Sequence, residues 1–202
     1  MDKKAGFEYL LAYKITIPIY DYTVEFCNQS SPFSPKSPRS PSSPQNLGFP
    51  QLSSNRTQDQ MVQAARSGMQ NLAEGNKQQS LAGYIKLSGV SRGSLEELLK
   101  DYLSYARQNR LEVWEKERAK REIREIGEIW EILKNNPYLP NTPNFPHLPT
   151  DPIKAINLLI SLINQANFLI DKLILSLKEK HTQEGGFSEN LLKRRLEFKK
   201  HQ

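Results

Sequence analysis

Twelve of the 13 prolines in this 202-residue chain fall into two runs: Pro32, Pro35, Pro38, Pro41, Pro44 and Pro50, then Pro137, Pro140, Pro143, Pro146, Pro149 and Pro152. Proline has no amide donor and its ring clashes with the preceding turn, so neither run can be helical. The chain is therefore divided before any other preference acts. The first run reads SPFSPKSPRSPSSP, a Ser-Pro dipeptide at nearly every third residue. Polyproline II repeats every three residues, so these prolines would line one edge of an extended rod. Such a rod is a solvated insertion; alternatively Lys36 and Arg39, between the dipeptides, contact phosphate. The second run, PYLPNTPNFPHLP, carries Tyr138, Phe145 and Leu148 and is expected to lie along the protein surface.

Around these breaks the pattern is helical, without the alternation of a β-sheet. The first helix is expected from about Ala5 to Asn28, with Tyr9, Tyr13, Ile17 or Ile15, Tyr20 and Val24 at helical spacing and a kink at Pro18. Glu8 and Lys14 interrupt its apolar stretch, which argues against a signal peptide. The second opens on a capping box, Thr57-Gln58-Asp59-Gln60, and ends at Gly75. The third runs from Asn76 or Ser80 to about Asn109. A charged amphipathic helix over 111–136 carries Ala119, Ile123, Ile126, Trp130 and Leu133 on one stripe. Asp151-Pro152 is an N-cap followed by proline at the first helical position, opening a helix to about residue 181, and Gly185-Gly186 stop it. A short basic helix from Ser188 to about Lys199 closes the chain.

The helix from Pro152 has two apolar seams. One is Ile156, Ile160, Ile163, Asn167, Ile170, Ile174 and Leu177; the other is Ala155, Leu159, Leu162, Ala166, Leu169 and Leu173. Each repeats every three or four residues, the spacing of a packed helix interface. A membrane span is disfavoured, because the longest uncharged run contains Asn157, Asn164, Gln165 and Asn167. One seam can fill the chain's own bundle while Ile156, Ile160, Ile163, Ile170 and Ile174 reach another subunit; the alternative is that both are buried within one chain.

The second and third helices are rich in small residues: Ala64, Ala65, Ser67 and Gly68, then Gly89 and Gly93. Glycines four apart lie on one helical face and permit close backbone approach, offsetting a propensity cost of about 1 kcal/mol each. Here the chain resembles a family. ARSGMQNLAEG, Ala65 to Gly75, followed by YIKLSGVSRGSLEELL, Tyr84 to Leu99, is similar to the paired signature of the four-helix-bundle proteins named after the 23S ribosomal RNA intervening sequence. That family also includes the accessory variability determinant of diversity-generating retroelements. The strong motif covers residues 57 to 110, and EGGFSENLLKRRLEFKK resembles the suffix of one subgroup. The Ser-Pro insertion and the charged helix after Leu111 stand outside the compact family pattern.

The resemblance implies an antiparallel bundle, often a homopentamer, without known catalysis; in the retroelement relatives it implies a basic bundle that binds nucleic acid and a reverse transcriptase. Within the motif, Asn71 and Glu74 lie three apart with Gly75 behind them, and Arg92-Gly93 sits in the next helix. A buried Asn-Glu-Arg network that fixes helix register is the expected role.

No Walker loop, GxGxxG or nucleophile elbow is present. His147, His181 and His201 are isolated, and Cys27 is the only cysteine, so neither a metal set nor an internal disulfide is expected and a reducing cytoplasm is the natural home. The net charge of +6 has a location. Residues 30–56 hold Lys36, Arg39 and Arg56 with no acid, residues 178–202 hold seven basic against four acidic side chains, and the remainder is neutral. In the last helix, Leu191, Leu192 and Leu196 can face the bundle while Lys193, Arg194, Arg195, Lys199 and Lys200 project as a phosphate-contacting surface; Lys86, Arg92, Arg107 and Arg110 add positive charge to the third helix.

The sequence thus predicts an all-α, antiparallel up-down four-helix bundle. Its parts are a first helix (1–29), a Ser/Pro-rich disordered insertion (30–56), the second and third helices (57–110), an extra charged helix (111–136), a Pro-rich linker (137–151), the fourth helix (152–181) and a basic suffix (182–202). The expected function is a non-enzymatic homo-oligomer, with a pentamer implied by the resemblance, that binds the RNA or DNA backbone; the alternative is a scaffold or accessory subunit for a protein partner such as a reverse transcriptase. No cofactor, metal or membrane is called for.

Overall fold

Ser54, Ser80 and Asp151 each precede an apolar periodic run, and each turns its side chain onto a free amide at a helix start. Ser54 accepts from the Thr57 amide at 3.2 Å, Ser80 from Gly83 at 3.1 Å and Asp151 from Ile153 at 2.8 Å. The computed structural model describes residues 10–30, 49–136 and 144–200. In order these form α1 (Leu11–Lys14), α2 (Thr16–Gln29), α3 (Asn55–Asn76), α4 (Leu81–Gln108), α5 (Lys116–Glu122), α6 (Arg124–Asn135), α7 (Pro152–Glu184) and α8 (Phe187–Lys200). All regular structure among the described residues is helical, and α2, α3, α4 and α7 pack as a bundle. The Ser-Pro rod with Lys36 and Arg39, together with Tyr9, Tyr138 and His201, lies outside the described residues.

Several boundaries differ from expectation for local physical reasons. The first helix breaks at Ile15 rather than at Pro18, which sits in the first turn of α2. Pro18 lacks the amide that would bond to the Lys14 carbonyl four residues earlier, so the break falls upstream of the ring. The buried seam there is Ala12, Ile15, Ile19, Tyr22 and Phe26, with Tyr13, Tyr20 and Val24 on its half-buried flank. The predicted capping box at Thr57 is not used, because Ser54 starts α3 three residues sooner. The charged helix is two: residues 111–115 are extended, and α5 and α6 are separated by Ile123, whose backbone is β-like. Ala119, Ile123, Ile126 and Leu133 are buried as expected, whereas Ile129 takes the fully buried place and Trp130 is half-buried.

α3 and α4 approach closely. A Cβ on Gly68 would lie 2.6 Å from Leu95 Cδ2, and one on Gly75 would lie 2.8 Å from the Tyr84 ring. Ser91 donates its hydroxyl to the Gly68 carbonyl, and the Ser67 and Ser94 hydroxyls meet at 2.9 Å. The pairs Ser67–Ser94, Gly68–Ser91 and Gly75–Tyr84 run in opposite sense along the two helices, so they are antiparallel. The expected close-packing glycines, Gly89 and Gly93, are exposed and meet nothing within 4 Å. The small residues that matter are thus on α3.

Both seams of α7 are filled by its own chain. Ala155, Ile156, Leu159, Leu162, Ile163, Ala166 and Ile170 are fully buried, Ile160 is 7% exposed and Ile174 is half-buried against the core. These isoleucines therefore offer no free subunit seam, a correction that follows from α2, α4, α5 and α6 all packing on the same helix. By length and composition α7 is apolar enough to cross a membrane. Its polar residues instead hold neighbours: Asn157 accepts from the Trp114 amide at 2.7 Å and donates to the Glu112 carbonyl at 2.9 Å, clamping the extended 111–115 segment, and Gln165 accepts from the Trp130 indole. Around Phe26, the rings of Phe49, Tyr102 and Tyr105 pack edge-on at 5.5, 5.2 and 5.0 Å. The buried Tyr102 hydroxyl donates to Thr23 Oγ1 at 3.0 Å. From the second proline run, Leu148 is buried, Phe145 packs on the core, and Tyr22 donates to the Pro146 carbonyl. Lys14, only 4% exposed, donates to the Leu133 and Asn136 carbonyls at 2.6 and 2.8 Å, capping the C-terminus of α6. Burial pushes its amine below the usual lysine range.

Replacing Gly68 with Ala should lower the melting temperature, since overpacking against buried Leu95 costs about 1–3 kcal/mol, whereas Gly89→Ala should raise stability by up to about 1 kcal/mol through helix propensity alone. Thermal melts of the two variants separate a packing glycine from an idle one. Cys27 is fully buried and its thiol is pushed up to about 12, first by burial and then by Asp101 and Asp59. It should resist a thiol reagent at pH 8 in the native protein and react once the protein is unfolded.

Candidate nucleic-acid interface

Gly185 adopts φ 77°, a conformation that favours glycine, and its amide closes α7 on the His181 carbonyl at 3.0 Å. The chain turns there, and α8 runs off the bundle. Its five candidate cations, Lys193, Arg194, Arg195, Lys199 and Lys200, are all exposed, and none is paired with a carboxylate among the described residues. Leu191, Leu192 and Leu196 do not face the bundle: they are 48%, 58% and 51% exposed. Only the base of α8 lies near other helices, where Asn190, Leu191 and Arg194 share a cavity of about 300 Å³ with Gln79, Ser80 and Leu81. The leucines are uncovered because contact stops at that base, and the cations consequently surround the helix rather than form one outward face.

On α4, Lys86, Arg107 and the adjoining Arg110 are also exposed, with Arg110 at φ 55° just past the helix end. They do not form one patch. Lys86 lies near the α3–α4 turn beside which α8 begins, while Arg107 is 21 residues further along, roughly 30 Å at the helical rise. Arg92 is engaged elsewhere, pairing with Glu96 at 2.8 Å and with Asp171 of α7 at 3.3 Å. Burial opposes its charge, but those two carboxylates hold its ionisation above the ordinary arginine range.

The expected Asn71–Glu74–Arg92 network is not formed. Asn71 donates to the Ser67 carbonyl and hydroxyl at 2.8 and 3.0 Å, Glu74 is exposed, and Arg92 points to α7. Spacing sets Asn71 and Glu74 one turn apart on α3, but Arg92 lies on the α4 face that meets α7, away from Asn71. Two separate polar sets take its place: Ser67, Asn71 and Ser94 between α3 and α4, and Arg92, Glu96, Asn167 and Asp171 between α4 and α7. Gly75 seats Tyr84, whose hydroxyl accepts from Asn76 at 3.4 Å, while Gly93 stays open.

One further feature was not expected. Gln60, Gln63, Ala64, Ser67, Ser94, Glu97 and Asp101 line an open groove of about 470 Å³ along α3 and α4. The helical spacing of 60, 63, 64 and 67 against 94, 97 and 101 is visible in the sequence, but their pairing across the turn is not. Asp101 sits in this groove with its carboxyl raised by burial and then by Glu97. The described residues contain no group of three or more histidine, cysteine, aspartate or glutamate side chains placed to hold a metal.

The molecule is thus an all-α helical bundle with a basic terminal helix. Residues 45–135 match the family model described as 23S rRNA-intervening sequence protein, and that segment is similar to this family. The match runs through α3 to α6, so the charged α5–α6 arm falls inside the family segment rather than outside it, while α1, α2, α7 and α8 fall beyond it. No curated protein and no solved structure matches the chain.

Asp101 binds protons more tightly in the folded than in the unfolded state, so its contribution is present at acid pH and is lost as pH rises through the folded value. Asp101→Asn should be more stable than wild type at pH 7, with the difference vanishing near pH 3 in thermal melts. Glu74→Ala, at an exposed helix position, should change stability by no more than about 0.5 kcal/mol.

Proposed function

We propose that this protein is a non-enzymatic cytoplasmic adaptor that holds the phosphate backbone of RNA or DNA on its basic terminal helix. The carrying observation is that Lys193, Arg194, Arg195, Lys199 and Lys200 stand exposed, with no carboxylate partner among the described residues, on a helix that leaves the bundle. Cations of this kind displace condensed counterions from nucleic acid without reading its sequence. Assembly into a homo-oligomer, which the family resemblance suggests as a pentamer, multiplies these weak contacts by raising their effective concentration. Lys86 lies on the same end of the bundle and extends the contact; Arg107 and Arg110 would serve only a ligand long enough to span α4.

A second reading is favoured by the exposed Leu191, Leu192, Leu196 and Phe198 on the same helix. In it, the helix docks a protein partner, such as a reverse transcriptase, through its apolar residues. Salt titration separates the two. Lys193→Ala with Arg194→Ala and Arg195→Ala should weaken binding to RNA and DNA of any sequence and flatten the slope of log affinity against log salt by about 2 to 3. Equal slopes for variant and wild type overturn the nucleic-acid reading.

A further inference from the structure

Just past the end of α4, Arg110 is the one non-glycine residue with a positive φ among the described residues. The Leu111 amide there reaches back to the Ala106 carbonyl at 2.8 Å, closing the helix end in a way that glycine permits without strain. The backbone disfavours an arginine at such a point, so what Arg110 contributes lies in its side chain. That side chain is exposed and has no carboxylate partner among the described residues. The same holds for Arg107 before it and for Lys116 and Lys120 on α5. From Arg110 to Lys116 the chain can span at most about 20 Å. The elbow where α4 gives way to α5 therefore gathers four cations within a short length of chain.

Carboxylates are largely sorted away from these cations. Glu112 is held by Arg118. With Ala119 buried, about 100° per residue puts Lys116 and Lys120 on one flank of α5, Arg118 and Glu122 on the other, and Glu117 and Arg121 outward. Four cations thus face the two exposed carboxylates Glu115 and Glu117. Val113 is the one large apolar side chain exposed between Arg107 and Lys120, so the elbow, unlike α8, offers a partner charge and little else. Such a surface fits a polyanion of repeating phosphates. It is also remote from α8. Arg107 lies 26 residues along α4 from Leu81, beside which α8 begins, about 39 Å at the helical rise, and Glu97 and Asp101 stand between. That gap is several times the screening length of about 10 Å at 0.1 M salt, so the two basic surfaces act independently. We propose that Arg107, Arg110, Lys116 and Lys120 form a second phosphate-binding site, so that one chain holds two separate segments of RNA or DNA backbone, one at the elbow and one on α8. The two-segment form rests on the α8 reading; the elbow site shares its chemistry but none of its residues.

A labelled duplex of about eight base pairs, about 27 Å long at 3.4 Å per base pair, is too short to reach both sites. Titrating it into the full chain at about 50 mM salt and counting duplexes bound per chain at saturation tests this. The count for wild type should fall by half when Arg107→Ala, Arg110→Gly, Lys116→Ala and Lys120→Ala are combined. It should also fall by half when Lys193, Arg194, Arg195, Lys199 and Lys200 are all replaced by Ala, and reach zero when both sets are joined. All are exposed positions, glycine suits the backbone at 110, and matching melting temperatures exclude loss of fold. An elbow variant that binds as many duplexes as wild type overturns the proposal. Binding abolished by the α8 substitutions alone also overturns it and leaves the α8 reading standing. Binding abolished by the elbow substitutions alone keeps the elbow site and overturns the α8 reading, and a wild type that binds no duplex overturns both.

Discussion

The absence of side chains at Gly68 and Gly75 sets the distance between α3 and α4, and much of the molecule follows from that distance. Leu95 and Tyr84 can seat on α3 only because no Cβ stands in their way. Once they are seated, Ser91 reaches the Gly68 carbonyl and Ser67 reaches Ser94, so polar groups buried by the contact are satisfied by it. The rotation of α4 is fixed at the same time. A neighbouring side then carries Arg92 and Glu96 toward Asp171 and Asn167 of α7.

The polar residues of α7 illustrate how a very apolar helix acquires a single orientation. Leucine and isoleucine burial is non-directional and would tolerate rotation about the helix axis. Asn157 accepts one backbone hydrogen bond and donates another to residues of the extended 111–115 segment, and Gln165 accepts from Trp130. Rotation would leave those buried groups unpaired, a penalty of about 1–3 kcal/mol each. Orientation thus comes from a few hydrogen bonds laid on a large apolar contact.

Proline placement, helix caps and apolar periodicity made most of the fold legible in the sequence. Ser80 and Asp151 start helices where their local pattern says they should, and Gly185 ends one. Legibility declined where an outcome depended on tertiary partners. Nothing local in 111–136 foretells the break at Ile123, which lets α5 and α6 each pack on α7. Gly68 and Gly89 look alike in sequence, yet only Gly68 faces another helix. The same limit applied to the candidate site: the cations were evident from composition, but whether Leu191, Leu192 and Leu196 faced the bundle depended on the turn at Gly185 and Gly186. Arg92 meets α7 rather than α3 because spacing gives a helix face without naming the helix that face will meet.

Lys14 ties the beginning of the described chain to residues more than a hundred positions later. Its amine sits on the Leu133 and Asn136 carbonyls, just ahead of the second proline run, while Tyr22 holds the Pro146 carbonyl beyond it. Lys14 at the end of α1 and Tyr22 in α2, eight residues apart, therefore hold Asn136 and Pro146. Removing those helices would do more than shorten the bundle: it would uncap α6 and leave the Pro146 carbonyl without the Tyr22 hydroxyl. The helices that begin the described chain thus serve as a cap for α6 and as a second point of attachment, beyond its packing on α7, for the arm that follows α4.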